Sequence, residues 1–253
     1  MLEKVLKYDL KSIGKRLIPL YLITILLSVI TKGLYIFSEK YFVLQVISFT
    51  TNIAALGLIL ALIFVTFIVA LKRFYTNLFK EEGYLTNALP VKLETHILSK
   101  FISAFIYSIL SILVIFISLY CMYYGLELVQ EISSFIEVIK EMLIIFGIVL
   151  AFSYFSYLTL CFVSYSIGQR KNKNKIVYSV ITGFILYVVT QIITLAILFV
   201  AYKINPEILK ELDNNNSEMI KKVLYFVIGL QSIYIIIHYF LTASVLKKKM
   251  DLE

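Results

Sequence analysis

Six uninterrupted apolar runs restrict what this chain can fold into more than any other feature: Leu17 to Phe37, Ser48 to Leu71, Phe101 to Tyr124, Met142 to Gly168, Ile176 to Tyr202 and Val223 to Leu246. A hydrocarbon core about 30 Å thick is crossed by roughly 20 apolar residues of helix, and each run is long enough. Inside the bilayer, backbone polar groups can be satisfied only within helices or closed barrels. Barrel strands would alternate over about 10 residues, whereas these runs are continuous and read as helices. Residues are 60% hydrophobic over 253 positions, so little chain is left for anything else. The expected fold is all-α: one polytopic membrane domain, residues 1–253, with six transmembrane helices.

Charge sets the expected orientation. Of the 24 Lys and Arg residues, 17 gather at positions 4–16, 72–100, 170–175 and 247–249, and the remaining seven fall on the opposite flanks. The positive-inside bias places both termini and the loop at residues 72–100 in the cytoplasm. The net charge of +8 then faces anionic headgroups. No basic domain stands apart from the membrane flanks, which argues against a nucleic-acid partner. Frequent Ile, Lys, Asn, Tyr and Phe, all with AU-rich codons, point to an AT-rich bacterial genome and hence to a bacterial plasma membrane.

Residues 1–16 form an amphipathic lead. Leu2, Val5, Leu6, Leu10, Ile13 and Leu17 share one helical face, and Glu3, Lys4, Lys7, Lys11 and Lys15 occupy the rest. Such a helix is expected to lie in the headgroup plane. The run after it is too long for a signal peptide and lacks a small-residue cleavage site, so it is expected to be retained. Trp is absent, which leaves Tyr to form the interfacial belts: Tyr35, Tyr41, Tyr123, Tyr124 and Tyr202 outside, Tyr75, Tyr165, Tyr178 and Tyr239 inside. After the third run, Ser134 and Glu137 stand at capping-box spacing, so the fourth helix is expected to begin outside the membrane. Pro206 and the "DNNNS" stretch predict a short surface helix and a turn before the sixth run. Cys121 is placed near the outer end of the third run and Cys161 toward the inner end of the fourth, so a disulfide between them is not expected.

Catalytic constellations are missing. A P-loop needs G-x-x-x-x-G-K-[ST]; Gly14 and Lys15 are followed by Arg16, with Asp9 where the first glycine would stand. No Cys or carboxylate has ligand spacing to His96 or His238, so no metal is expected. No carboxylate lies inside any run, which disfavours a pump built on intramembrane acids. The intramembrane polar residues Asn52, Gln191, Gln231 and His238 have two readings, hydrogen-bonded joints between helices or the lining of a substrate path. Gln191 and Gln231 are placed at comparable depths on neighbouring runs. Gly57 with Ala61, and Gly147 with Ala151, have the small-xxx-small spacing that lets helices approach; the first pair is the candidate contact between protomers.

The segment "LFKEEGYLTNALPVKLETHILSK", Leu78 to Lys100, is the one intracellular feature with structure beyond charge. The second helix is expected to run on from the membrane through Arg73, Phe74 and Leu78 and to break at Gly83, which can adopt backbone angles other residues avoid; Pro90 biases Leu89 toward extended geometry. Tyr84, Leu85, Ala88 and Leu89 give an apolar strip, and Glu81 and Glu82 place negative charge among positive flanks. By physics alone this is either a solvated connector or a docking knuckle for a cytoplasmic protein.

The same segment resembles one found in bacterial ABC-2 type exporter permeases, in which an acidic-E-G-Y-L-x-x-x-L-P-V phrase is followed by a polar stretch and a Ser-Lys entering the third helix. The matching positions are Glu81, Glu82, Gly83, Tyr84, Leu85, Leu89, Pro90, Val91, Ser99 and Lys100. His96 has no obvious counterpart, and the specific part covers about a tenth of the chain. The resemblance implies a permease subunit with six spans that pairs with a second copy or a paralogue and docks a separate ATP-binding-cassette ATPase through the loop between spans two and three. It implies that this chain is no enzyme and holds no cofactor, ATP and magnesium belonging to the partner ATPase. The substrate is unidentified, with an amphipathic peptide, lipid or drug as the classes in view. The alternative from another class is a substrate-capture or scaffold protein of the membrane with no coupled ATPase.

Overall fold

A computed structural model describes residues 2–38, 41–79, 92–123, 127–171, 173–204 and 217–247, the side chains at 127–141, 143, 202, 204 and 217 excepted. Six helices account for nearly all of them: α1 (Leu2–Ser38), α2 (Phe42–Phe79), α3 (Leu93–Tyr123), α4 (Glu127–Gly168), α5 (Lys175–Ile204) and α6 (Ser217–Lys247). There is no strand among the described residues. All six helices are long and apolar enough to cross a membrane, so the chain is a multi-pass all-α membrane protein.

The helices overrun the apolar runs. The lead and the first run form one helix of 37 residues that passes through Pro19 without interruption, so no break separates residues 1–16 from the span. Proline removes one backbone donor, a loss that membrane helices tolerate when other groups satisfy the freed carbonyl. Helix α4 begins at Glu127, upstream of the Ser134 expected to cap it. The surface helix expected around Pro206 lies outside the described residues, as do Lys248 and Lys249.

The chain divides into two compact units, Met1–Arg73 with Ile102–Lys140, and Phe74–Phe101 with Glu141–Glu253. In the first unit, α1 buries Ile13, Leu17, Tyr21, Thr24, Ser28 and Thr31, a stripe recurring every three or four residues as a 3.6-residue period requires. Beyond Leu17 its leucines and isoleucines mostly point the other way, with Leu22 63% and Leu26 61% exposed. This inverts the soluble pattern, because lipid tails are as apolar as leucine and helix contacts favour small and polar residues. Ile13, Leu17 and Tyr21 pack with Leu62 and Val69 of α2 and Tyr107 and Val114 of α3. A second cluster joins Ala55, Ile59 and Met122. The buried hydroxyls of Thr24 and Ser28 also bond back to the carbonyls of Leu20 and Thr24, both at 2.8 Å, so neither is left bare in hydrocarbon.

In the second unit, α4 and α5 form a tight hairpin. A Cβ on Gly168 would meet the Ser179 hydroxyl, and it would sit 2.6 Å from the Ser179 backbone nitrogen and 2.8 Å from the Lys175 carbonyl. One level further along, a Cβ on Gly183 would lie 3.3 Å from the Ser164 hydroxyl, and the Thr182 hydroxyl donates to the Ser164 carbonyl at 3.3 Å. The small-xxx-small pairs that draw these helices together are therefore Ser164/Gly168 and Ser179/Gly183. The turn closes through Asn174, whose φ of 53° is a left-handed conformation Asn tolerates better than most residues; its carbonyl accepts from the Tyr178 N–H at 3.1 Å. Beyond the hairpin contact, the most apolar stretch of α5 contains no buried residue.

Candidate functional site

Residues 80–91, and with them Glu81, Glu82, Gly83, Tyr84, Leu85, Leu89, Pro90 and Val91, lie outside the described residues. The structure does describe what holds the two roots of that loop. The last turns of α2 and the first turns of α3 belong to the second unit, where they meet α4 and α6 through aromatic rings. Phe74 of α2 stacks on Phe162 of α4 at 4.2 Å with the rings 10° from parallel. Phe101 of α3 packs against the same Phe162 at 5.3 Å and against Tyr239 of α6, edge to face, at 5.5 Å. Phe155 approaches Phe101 at 6.5 Å, and Tyr75 approaches Tyr165 at 5.8 Å.

The Phe101–Tyr239 and Phe101–Phe155 pairs are edge to face, an arrangement that ring quadrupoles favour by about 0.5–1.5 kcal/mol beyond area burial; Phe101–Phe162 and Tyr75–Tyr165 are tilted. Phe74 and Phe162 are fully buried, as are Leu78 and Ile97 beside the loop. On the exposed side, Glu94 of α3 pairs with Lys247 of α6; both are open to solvent, so this ion pair orients more than it stabilises. The Ser99 and Lys100 of the permease-like phrase are buried at 0% and 2% exposure, and His96 is likewise enclosed at 2%. That end of the phrase faces inward.

The first unit fixes the lead to α2 by a different chemistry. Asp9 accepts a hydrogen bond from Arg73 Nε at 3.0 Å, with the Asp9 side chain 1% exposed. Asp9 stands four residues from both Val5 and Ile13, within the apolar face of the lead, and this placement of an acid was the available sequence signal. Tyr107 of α3 donates to the Leu10 carbonyl at 2.7 Å, and its hydroxyl occupies the space a Cβ at Gly14 would need. Deeper in the apolar stretch, Tyr21, Ser111 and Thr66 link α1, α3 and α2 through two hydroxyl contacts of 2.7 Å.

The intramembrane polar candidates separate. His238 is buried and its Nδ1 lies 3.0 Å from the Thr159 hydroxyl, which joins α6 to α4. Asn52 accepts from the Tyr123 hydroxyl at 3.4 Å, a long bond between α2 and α3. Gln191 and Gln231 are half-buried and are not bonded to one another; the polar joint of α5 and α6 runs from Thr194 to Tyr234 at 2.7 Å. Gly57 is exposed with nothing within 4 Å of a Cβ built on it, and Ala61 is half-buried. Cys121 and Cys161 are free thiols. Among the described residues no three His, Cys, Asp or Glu side chains are placed to share a metal ion.

No protein-family model, curated protein or solved structure matches the chain.

Proposed function

We propose that this chain is the membrane-spanning permease subunit of an ATP-driven ABC-2 type exporter. It moves an amphipathic substrate outward across a bacterial plasma membrane and is powered by a separate ATP-binding-cassette subunit that docks at residues 81–90 from the cytoplasm. The observation carrying this reading is the anchoring of the loop's roots: both are bound into one aromatic cluster with α4 and α6. A force applied at residues 81–90 by nucleotide binding in the partner would be shared by four helices instead of being absorbed in one connector. Asp9 and Arg73 extend the same logic to the lead, since displacement of α2 would carry α1 with it.

Coupling of this kind needs two packings of the spans that differ in free energy, with the ATPase favouring one. Gly57 and Ala61 offer an open small-residue face for a second permease copy or a paralogue. Gln191 and Gln231, half-buried and not bonded to one another, are the residues available to face substrate, whereas His238 and Asn52 serve as joints.

The test is a mild-detergent purification of the tagged chain, with mass spectrometry and an ATPase assay, repeated with Glu81→Lys/Glu82→Lys. Co-purification of a P-loop ATPase with the parent chain and its loss from the variant are the expected results. If no ATPase accompanies a parent chain isolated with its other membrane partners intact, the exporter reading fails and a capture or scaffold role takes its place.

A further inference from the structure

Along α1, two rows of side chains run parallel at four-residue spacing, the interval that stacks residues on one helical face. One row is Leu10, Gly14 and Ile18; beside it run Lys11, Lys15 and Pro19. With Tyr107 of α3 as the opposite wall, they enclose an open groove of about 430 Å³, within the range of about 300–1,000 Å³ usual for small-molecule clefts.

The groove is chemically graded. At one end stand two exposed lysines, neither paired with a carboxylate among the described residues. At the other are Ile18, which is 51% exposed, and Pro19, both just inside the first apolar run. Gly14 keeps the floor low, and Tyr107 is held rigid by its bond to the Leu10 carbonyl. The groove's own walls are apolar, and the two exposed lysines rim it with their ammonium groups toward solvent, a combination that complements one kind of molecule.

We propose that this groove binds a single anionic phospholipid, its phosphate between Lys11 and Lys15 and the start of an acyl chain along Ile18 and Pro19. Charge selects the lipid: a basic residue near the surface contributes about 1 kcal/mol toward an anionic headgroup, and two lysines one turn apart act on one phosphate. The inference requires only that α1 crosses the membrane, and it holds whether or not the chain is an exporter.

The absence of Trp makes a clean test possible. The full chain carrying Ile18→Trp as its one indole is reconstituted into phosphatidylcholine vesicles, and quenching by brominated phosphatidylglycerol is compared with quenching by brominated phosphatidylcholine. A second reporter, Leu60→Trp on the exposed face of α2, gives the preference of ordinary surrounding lipid. The expected result is a preference for the anionic lipid of about thirtyfold at the I18W reporter, two lysines at about 1 kcal/mol each, near unity at L60W, and lost in I18W with Lys11→Gln/Lys15→Gln. Size-exclusion profiles show that each variant remains folded. Equal preference at both reporters, survival of the preference in the lysine variant, or equally strong quenching by a brominated uncharged detergent would each overturn the proposal.

Discussion

Both units hold their helices together with apolar packing and interhelical hydrogen bonds, but the joints that bear on the lead and on the loop's roots differ in kind. In the first unit the helix joints are directional: the Asp9–Arg73 pair, the Tyr107 bond to Leu10, and the Tyr21, Ser111 and Thr66 hydroxyls. In the second, the joint at the loop's roots is a block of rings centred on Phe162. Hydrogen bonds between membrane helices average only about 0.6 kcal/mol, but they fix register and rotation. Ring packing is less directional and depends on filled volume, so it tolerates small displacements until a ring is removed. The first unit is therefore built to keep its helices in one register, and the second to gather several helices around one point.

That contrast can be tested by ordered perturbation. The largest effect is expected from Gly168→Val, because the new side chain meets the backbone of Ser179 and Lys175, which cannot rotate away; monodisperse protein should be lost in size-exclusion chromatography. Next is Phe162→Ala, expected to cost about 3–5 kcal/mol in reversible unfolding in mixed micelles, the range for emptying a buried aromatic site. Close behind, Arg73→Met should cost about 3 kcal/mol by leaving the Asp9 carboxylate enclosed without its cation. Asp9→Leu combined with Arg73→Met should recover most of that loss, since replacing both charges by apolar groups is often neutral.

Smaller effects sharpen the comparison further. Ser111→Ala should lower stability by about 1.2 kcal/mol, since it removes two interhelical hydrogen bonds that average about 0.6 kcal/mol each. Gly57→Ala should raise the stability of the isolated chain by about 0.5–1 kcal/mol, the gain from removing a mid-helix glycine, because its Cβ enters open space. If Ser111→Ala proved costlier than Phe162→Ala, the polar unit and not the aromatic one would dominate stability, and the contrast drawn between them would be reversed.

Much of the architecture was legible before any coordinates. Length and continuity of the apolar runs gave six membrane helices, because the bilayer leaves the backbone few alternatives. Helix ends were only partly legible: α2 continues to Phe79, in line with a helix running on through Leu78, whereas α3 starts at Leu93, ahead of the apolar run at Phe101, since a membrane helix need not stop where hydropathy falls. Interior faces were harder still. In lipid the apolar stripe no longer marks the core, and the buried face of α1 beyond Leu17 is written in Tyr, Thr and Ser. Gly57/Ala61 drew attention as a small-residue pair, yet the close approach within the chain occurs at Ser164/Gly168 and Ser179/Gly183, where serine plays the small residue. Asp9 could have been found from its place on an apolar face; its partner Arg73, 64 residues away, could not.

Because α1 continues through Pro19 without a break, a movement of the span is passed to the segment before it through one continuous helix. Residues 2–17 project about 24 Å at 1.5 Å per residue. A change of about 10° in the inclination of α1 about the level of Leu17 therefore carries its first turn through about 4 Å, converting an angular adjustment within the bilayer into a linear stroke at its surface.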